Sequence, residues 1–148
     1  SFGYCIYSKR VKLKLQYIGL PVGDLKMLKS LGTVITNDIY VPEIAFTGDT
    51  LFNSVIENKH FTTAKVLIME CTFLDDVTVE EAHSCFHVHI SEIIQHSDLF
   101  ENESIILTHF SDRYNSAHII QEISKINVSI PFKDKLYLLL ENGIHKVT

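Results

Sequence analysis

Apolar and polar positions alternate through Phe2–Tyr7, and apolar residues alternate with lysine through Val11–Leu15, so both stretches predict half-buried strands. They are expected to pair as a hairpin through Ser8–Arg10, although no Asn-Gly type of turn marks it. Asp24 is expected to cap a short helix to Leu31, with Leu25, Leu28 and Leu31 on one face and Gly32 just past its end. Val41–Thr47 reads as a buried strand, followed by a poorly patterned segment to Lys59. Ala64–Cys71 is a nearly continuous apolar strand. Thr78 and Glu81 spell a capping box, and Ile90, Ile93, Ile94 and Phe100 keep a helical period through Phe100. After a polar turn over Glu101–Ser104, Ser104–Phe110 predicts a further strand. Ser116 is expected to cap a helix carrying Ile119, Ile120, Ile123 and Ile126, and Lys135–Leu140 to form the closing strand. From Ile44 onward the order is strand, strand, helix, strand, helix, strand, which is the signature of an α/β layer.

At 148 residues, with 46% hydrophobic positions, the chain is one domain or a large piece of one. No apolar run approaches the ~18 residues of a membrane span, and nothing resembles a signal peptide. Cys5, Cys71 and Cys85 form no CxxC pair. Reduced thiols in an intracellular compartment (cytoplasm, nucleus or an organelle) are the expectation. A net charge of −5 argues mildly against bulk attraction to nucleic acid. Lys9, Arg10, Lys12, Lys14, Lys26 and Lys29 nevertheless crowd the first thirty residues and offer a local basic face. The chain does not begin with Met and opens inside a strand pattern, so it is expected to be a fragment or the tail of a longer product.

The stretch Val41–Leu51 organises the chemistry. An apolar run ends in Gly48, then Asp49, then Thr50, which is how a buried strand delivers an acid to the rim of an α/β sheet. Two later strands end at Glu70 and His109, and His87 opens the helix between them. Adjacent strand ends lie ~5 Å apart, so these four groups are expected to share one site. Each has a plainer reading: an Asx turn at Asp49, a lysine partner for Glu70, a satisfied core imidazole at His109. His87 and His89 share a face only in a strand, so a helix start here sends one of them elsewhere.

The segments FTGDT, MECTFLDD, FHVHISE and LTHFSDRY, in this order and at these intervals, resemble tRNase Z, the tRNA 3′-processing endoribonuclease of the metallo-β-lactamase superfamily. The stretches YIGLPVGDLKMLKSLG and AKVLIMECTFLDD look most like short-form enzymes of plant type. The resemblance implies the C-terminal half of an αββα sandwich, with residues 1–148 a single partial domain. It implies two zinc ions in the intact active site, with Asp49 the bridging ligand and His109 the last histidine ligand. Glu70 and His87 take the places of the pair that orients a proton donor for the leaving 3′-oxygen. Ser111 and Arg113 match a segment close to the RNA backbone. Precursor tRNA is the implied substrate, a homodimer the implied state of the intact protein, and no membrane is involved.

Departures from the pattern set further expectations. Met69 stands where the family often has histidine, Cys71 where it has alanine or serine, and Phe86 where it has glycine. The His-x-His-x-Asp-His signature, which supplies most zinc ligands, does not occur in this chain. Two ligands cannot hold two zinc ions, so the chain alone is expected to retain neither zinc nor activity, and one sheet face to be exposed and apolar. The competing reading is a non-catalytic truncated homologue that binds RNA or dimerises. A phosphate-accepting signalling domain built on Asp49 lacks the neighbouring acids and strand-end lysine it needs. A lactamase- or glyoxalase-like hydrolase is disfavoured by MECTFLDD and FHVHISE together.

Overall fold

The computed structural model describes residues 2–147. The chain divides into two compact units, Tyr7–Val41 and the remainder. Strand β1 (Tyr4–Leu13) is followed by a 3-10 turn at Leu15–Tyr17, helix α1 (Val22–Ser30) and strand β2 (Thr36–Phe46). The expected hairpin is therefore one uninterrupted strand. Ser8, Lys9 and Arg10 offer neither a glycine nor an asparagine to reverse the chain, and all three stay extended.

Within the Tyr7–Val41 unit, Lys9 pairs with Asp38 at 2.8 Å and the Lys14 amide bonds the Ile35 carbonyl at 2.9 Å. Helix α1 starts after Pro21, three residues earlier than expected, which places Asp24 inside its first turn rather than at the cap. Gly32, at φ +79°, ends it as expected. The Gly32 and Thr33 amides bond the Lys29 and Leu28 carbonyls in a Schellman arrangement.

The larger unit carries α2 (Phe52–Ile56), α3 (Lys59–Thr63), β3 (Val66–Glu70), α4 (Val79–Ser84), α5 (Ile90–Gln95), β4 (Ser104–Thr108), α6 (Ser116–Ser124), α7 (Ile130–Lys133), β5 (Leu136–Leu140) and β6 (Gly143–Lys146). The segment before Lys59, which shows no clear period, holds one five-residue helix, and a second follows it. Such short helices are fixed by Phe52, Val55 and Phe61 docking into the core, not by propensity. Asn115, rather than Ser116, caps α6, its side chain accepting from the His118 amide at 2.9 Å. The Ile90 helix stops at Gln95 and a 3-10 turn carries the chain to Leu99. Strand β5 does not close the sheet, because Gly143, at φ +120°, lets β6 fold back against it.

The sheet order is β1-β2-β3-β4-β5-β6. Strands β2 to β5 run parallel and β6 is antiparallel to β5. Each parallel neighbour is thus also the next strand in sequence, with helices in every connection, and the ends of β2, β3 and β4 fall on one edge. The alternation within strands sorts two faces. Leu67, Met69, Ile105, Leu107, Leu136 and Leu138 are buried in the core with Ile93, Ile119, Ile123 and Phe132 from the helices. The opposite face is also apolar, but Ile44, Phe46 and Leu139 are 39%, 40% and 42% exposed there. The open apolar face expected from the sequence is present. No helix among the described residues is long and apolar enough to cross a membrane.

The capping box of α4 forms as expected. Thr78 accepts from the Glu81 amide at 3.2 Å, and the Glu81 carboxylate accepts from the Thr78 amide at 2.9 Å. Those bonds from Thr78, backbone first and hydroxyl second, hold the Glu81 carboxyl below its usual range. A depressed carboxylate adds stability above its unfolded pKa and loses it as pH falls through the folded value. Thr78→Ala should cost about 1 kcal/mol by urea unfolding at neutral pH, and the deficit should shrink on acidification through the carboxylate range.

Candidate active site

Four side chains from four separate stretches of the larger unit meet at the carboxyl edge of the sheet. Strand β2 ends at Phe46, and Gly48 takes φ +64°, a left-handed turn that swings Asp49 across the edge. Glu70 is the last residue of β3. His109 follows β4 and is itself left-handed, at φ 60°. His87 lies in the turn between α4 and α5, directly after Phe86, which is left-handed too, at φ 63°. Non-glycine residues in that region are uncommon and carry strain, and here two of them border one site.

Glu70 sits at the centre, 1% exposed. Its Oε1 accepts the Thr50 amide in a short bond. Its Oε2 accepts the Thr72 hydroxyl at 2.6 Å and the Val88 amide at 3.1 Å, and it stands 2.9 Å from His87 Nδ1. A carboxylate accepts only, so His87 donates its Nδ1–H to Glu70 and its Nε2 is left bare. Burying a carboxylate costs several kcal/mol unless it is paired, and four donors offset that here. Neither plain reading of the acids holds: Thr50 bonds Glu70 rather than making an Asx turn, and Lys65 pairs with Glu43 at 2.5 Å.

Asp49 and His109 form the open side of the site. Asp49 Oδ1 and His109 Nε2 are 3.6 Å apart, and both side chains are about half exposed. The His109 ring stacks on the His87 ring with centroids 5.3 Å apart. Thr72 Oγ1 lies 2.9 Å from His109 Nδ1 and 3.2 Å from His87 Nδ1. Glu70, His87 and His109 each bring a ligand atom within 4.8 Å of the others, a spacing that could hold a metal ion.

His89 does not enter. It caps α5, with Nε2 donating to the Leu74 carbonyl at 2.8 Å and Nδ1 accepting the Ser91 amide at 3.1 Å. Cys71, fully buried beside Glu70, has its thiol pushed far up by burial and by the neighbouring carboxylates, and it packs in the core.

Ser111 and Arg113 line an open groove of about 900 Å³ that His109 also borders. Arg113 is braced there. It stands 3.5 Å from Asp76 and lies over the Phe73 ring at 5.4 Å. The Tyr114 hydroxyl donates to Asp76 and accepts the Leu74 amide at 3.3 Å. Burial first, and the bond to Asp76 second, push that phenol up to about 12. Reading the sequence for strand-end acids and imidazoles misses this bracing, and it misses Thr72. The signal for Thr72 was a hydroxyl two residues past the strand-end acid.

No protein-family model matches the chain. It is 49% identical over 129 residues to a tRNase Z of Arabidopsis thaliana, covering 85% of this chain and 46% of that protein. It is 40% identical over 136 residues to a chloroplastic tRNase Z of the same plant, covering 90% and 38% respectively. A Ribonuclease Z of Staphylococcus carnosus is 29% identical over 138 residues, covering 80% and 44%. The chain thus spans less than half the length of these curated relatives. A crystal structure of a long form RNase Z from yeast matches at TM-score 0.48 and 23% identity, over 75% of this chain and 14% of that one.

Phe86 is 70% exposed and left-handed, so it contributes little burial to set against its backbone strain. Phe86→Gly should therefore raise stability by about 1 kcal/mol in denaturant unfolding, with the His87 turn unchanged.

Proposed function

This chain is a homologue of tRNase Z, and from that premise we propose that it is the C-terminal half of a metallo-β-lactamase-fold domain that removes 3′ trailers from precursor tRNA. The observation that carries the reading is the meeting of Asp49, Glu70, His87 and His109 at one sheet edge. Their residue types suit phosphodiester hydrolysis.

The open pair fits a zinc ligand set in part. Asp49 Oδ1 and His109 Nε2 stand 3.6 Å apart, near the ~3.3 Å between two ligands ~2.0–2.1 Å from one tetrahedral ion. Glu70 fits less well, because its oxygens already accept four donors. Asp49 and His109 would therefore hold zinc, with the remaining ligands supplied from outside this chain. Bound zinc would supply a water of lowered pKa and a positive clamp on the phosphoryl oxygens.

The chain's own residues divide the remaining work. His87, with Nδ1 tied to Glu70, has Nε2 left to pass a proton to the departing 3′-oxygen. Glu70 keeps that imidazole in one tautomer. Arg113 and Ser111 flank the groove, where a guanidinium fork and a hydroxyl suit the phosphate backbone. Lys26 and Lys29 lie in the other unit and add basic surface for RNA. The intact protein would be a homodimer. The open apolar face of Ile44, Phe46 and Leu139 is where the other half of the sandwich would pack.

The test joins this chain to the upstream half of the Arabidopsis tRNase Z. The chain alone should neither cleave a precursor tRNA nor retain zinc, and the combined sample should do both. In that sample Asp49→Asn and His109→Ala should lose zinc. His87→Ala should keep zinc while kcat falls about 10²–10⁴-fold. Cleavage by the chain alone would refute the half-site reading. A combined sample that binds RNA yet never cleaves would favour the non-catalytic homologue.

A further inference from the structure

Thr72 holds a place that neither the chemistry above nor the sequence pattern assigns. Its side chain is buried, 6% exposed, and its backbone is pinned on both sides. The Cys71 amide bonds the Thr108 carbonyl at 2.8 Å, and the Ser111 amide bonds the Thr72 carbonyl at 3.0 Å. The hydroxyl sits among three polar atoms: Glu70 Oε2 at 2.6 Å, His109 Nδ1 at 2.9 Å and His87 Nδ1 at 3.2 Å.

A hydroxyl has one hydrogen to give and two lone pairs to fill. Of the three neighbours, only the carboxylate can do nothing but accept, and it is also the nearest. The hydrogen therefore goes to Glu70. Toward either imidazole Thr72 Oγ1 can then only accept, and because His87 gives its Nδ1–H to Glu70, the donor left for the hydroxyl is His109 Nδ1. His87 would hold this tautomer without Thr72, because Glu70 already takes its Nδ1–H at 2.9 Å. His109 has no such second acceptor for Nδ1 among the described bonds, and its Nε2 is the atom facing Asp49 at 3.6 Å.

We propose that Thr72 is a positioning residue that sets the tautomer of His109: its hydroxyl, oriented by Glu70, takes the Nδ1–H and keeps Nε2 bare toward Asp49. One buried carboxylate thereby orients both imidazoles, His87 directly and His109 through one hydroxyl. The inference deepens the reading of His109 as a ligand and rests on it for its purpose, because a ligating imidazole needs its tautomer fixed by the other nitrogen. The tautomer itself can be read on the free chain, with no RNA or metal present.

The experiment is long-range proton–nitrogen correlation NMR on histidine-labelled 148-residue chain, at a pH where imidazoles are neutral. In the wild type, His87 and His109 should both show protonated Nδ1 and bare Nε2. Thr72→Ser should reproduce that pattern. Thr72→Val should move His109 wholly or partly to the Nε2–H form and leave His87 as it was. A wild-type His109 with its proton on Nε2 overturns the proposal even if the valine variant does not fold. So does an unchanged His109 in a folded Thr72→Val. Neither result bears on whether the assembled protein cleaves RNA, so the two readings fail separately.

Discussion

A buried carboxylate is the constraint from which the rest of the site follows. Glu70 closes strand β3 with a charge that nothing in an apolar core can solvate, and the chain answers with donors from three other places. The Thr50 amide comes from the loop after β2, the Thr72 hydroxyl from the next turn, and the Val88 amide with His87 from the turn between α4 and α5. Hydrogen bonds to a charged acceptor are worth roughly 1.5–3 kcal/mol each, so loops that would otherwise drift are drawn to one point. His87 arrives in the site because the carboxylate needs it. Asp49 is delivered alongside, since the amide of its neighbour Thr50 is among the donors.

That economy explains why strained backbone is found where it is. Phe86 and His109 both accept a left-handed conformation, and both border groups that Glu70 or Thr72 holds in place. Strain of this kind persists only where surrounding bonds over-determine the geometry. The outer rim, by contrast, stays loose enough to work. Asp49 and His109 remain about half exposed, as groups that must meet an ion and a phosphate should.

Much of this was legible in the letters. Strands ending at Glu70 and near His109, the Thr78–Glu81 capping box and Gly32 as a helix terminator all rest on local chemistry that a window of a few residues contains. The convergence of the four side chains was also readable, because parallel neighbouring strands place their ends on one edge. What failed was decided at longer range. Ser8–Arg10 stays extended because a partner strand exists for it, and no local signal reports that. The helices α2 and α3 have no period to read, because Phe52, Val55 and Phe61 are held by tertiary contact. Strand β6 hides behind a two-residue turn and an unremarkable Gly-Ile-His-Lys. Thr72 went unassigned because a hydroxyl's role lies in where its single hydrogen points.

The central claim, that Glu70 gathers the site, is tested most directly by amide hydrogen exchange in the wild type and in Glu70→Ala. The Thr50 and Val88 amides should be protected in the wild type. In the variant each should exchange faster, on the order of tenfold or more, while amides inside β4 such as Leu107 hold their rates. If Thr50 and Val88 exchange no faster once the carboxylate is gone, Glu70 is a passenger and the account is wrong.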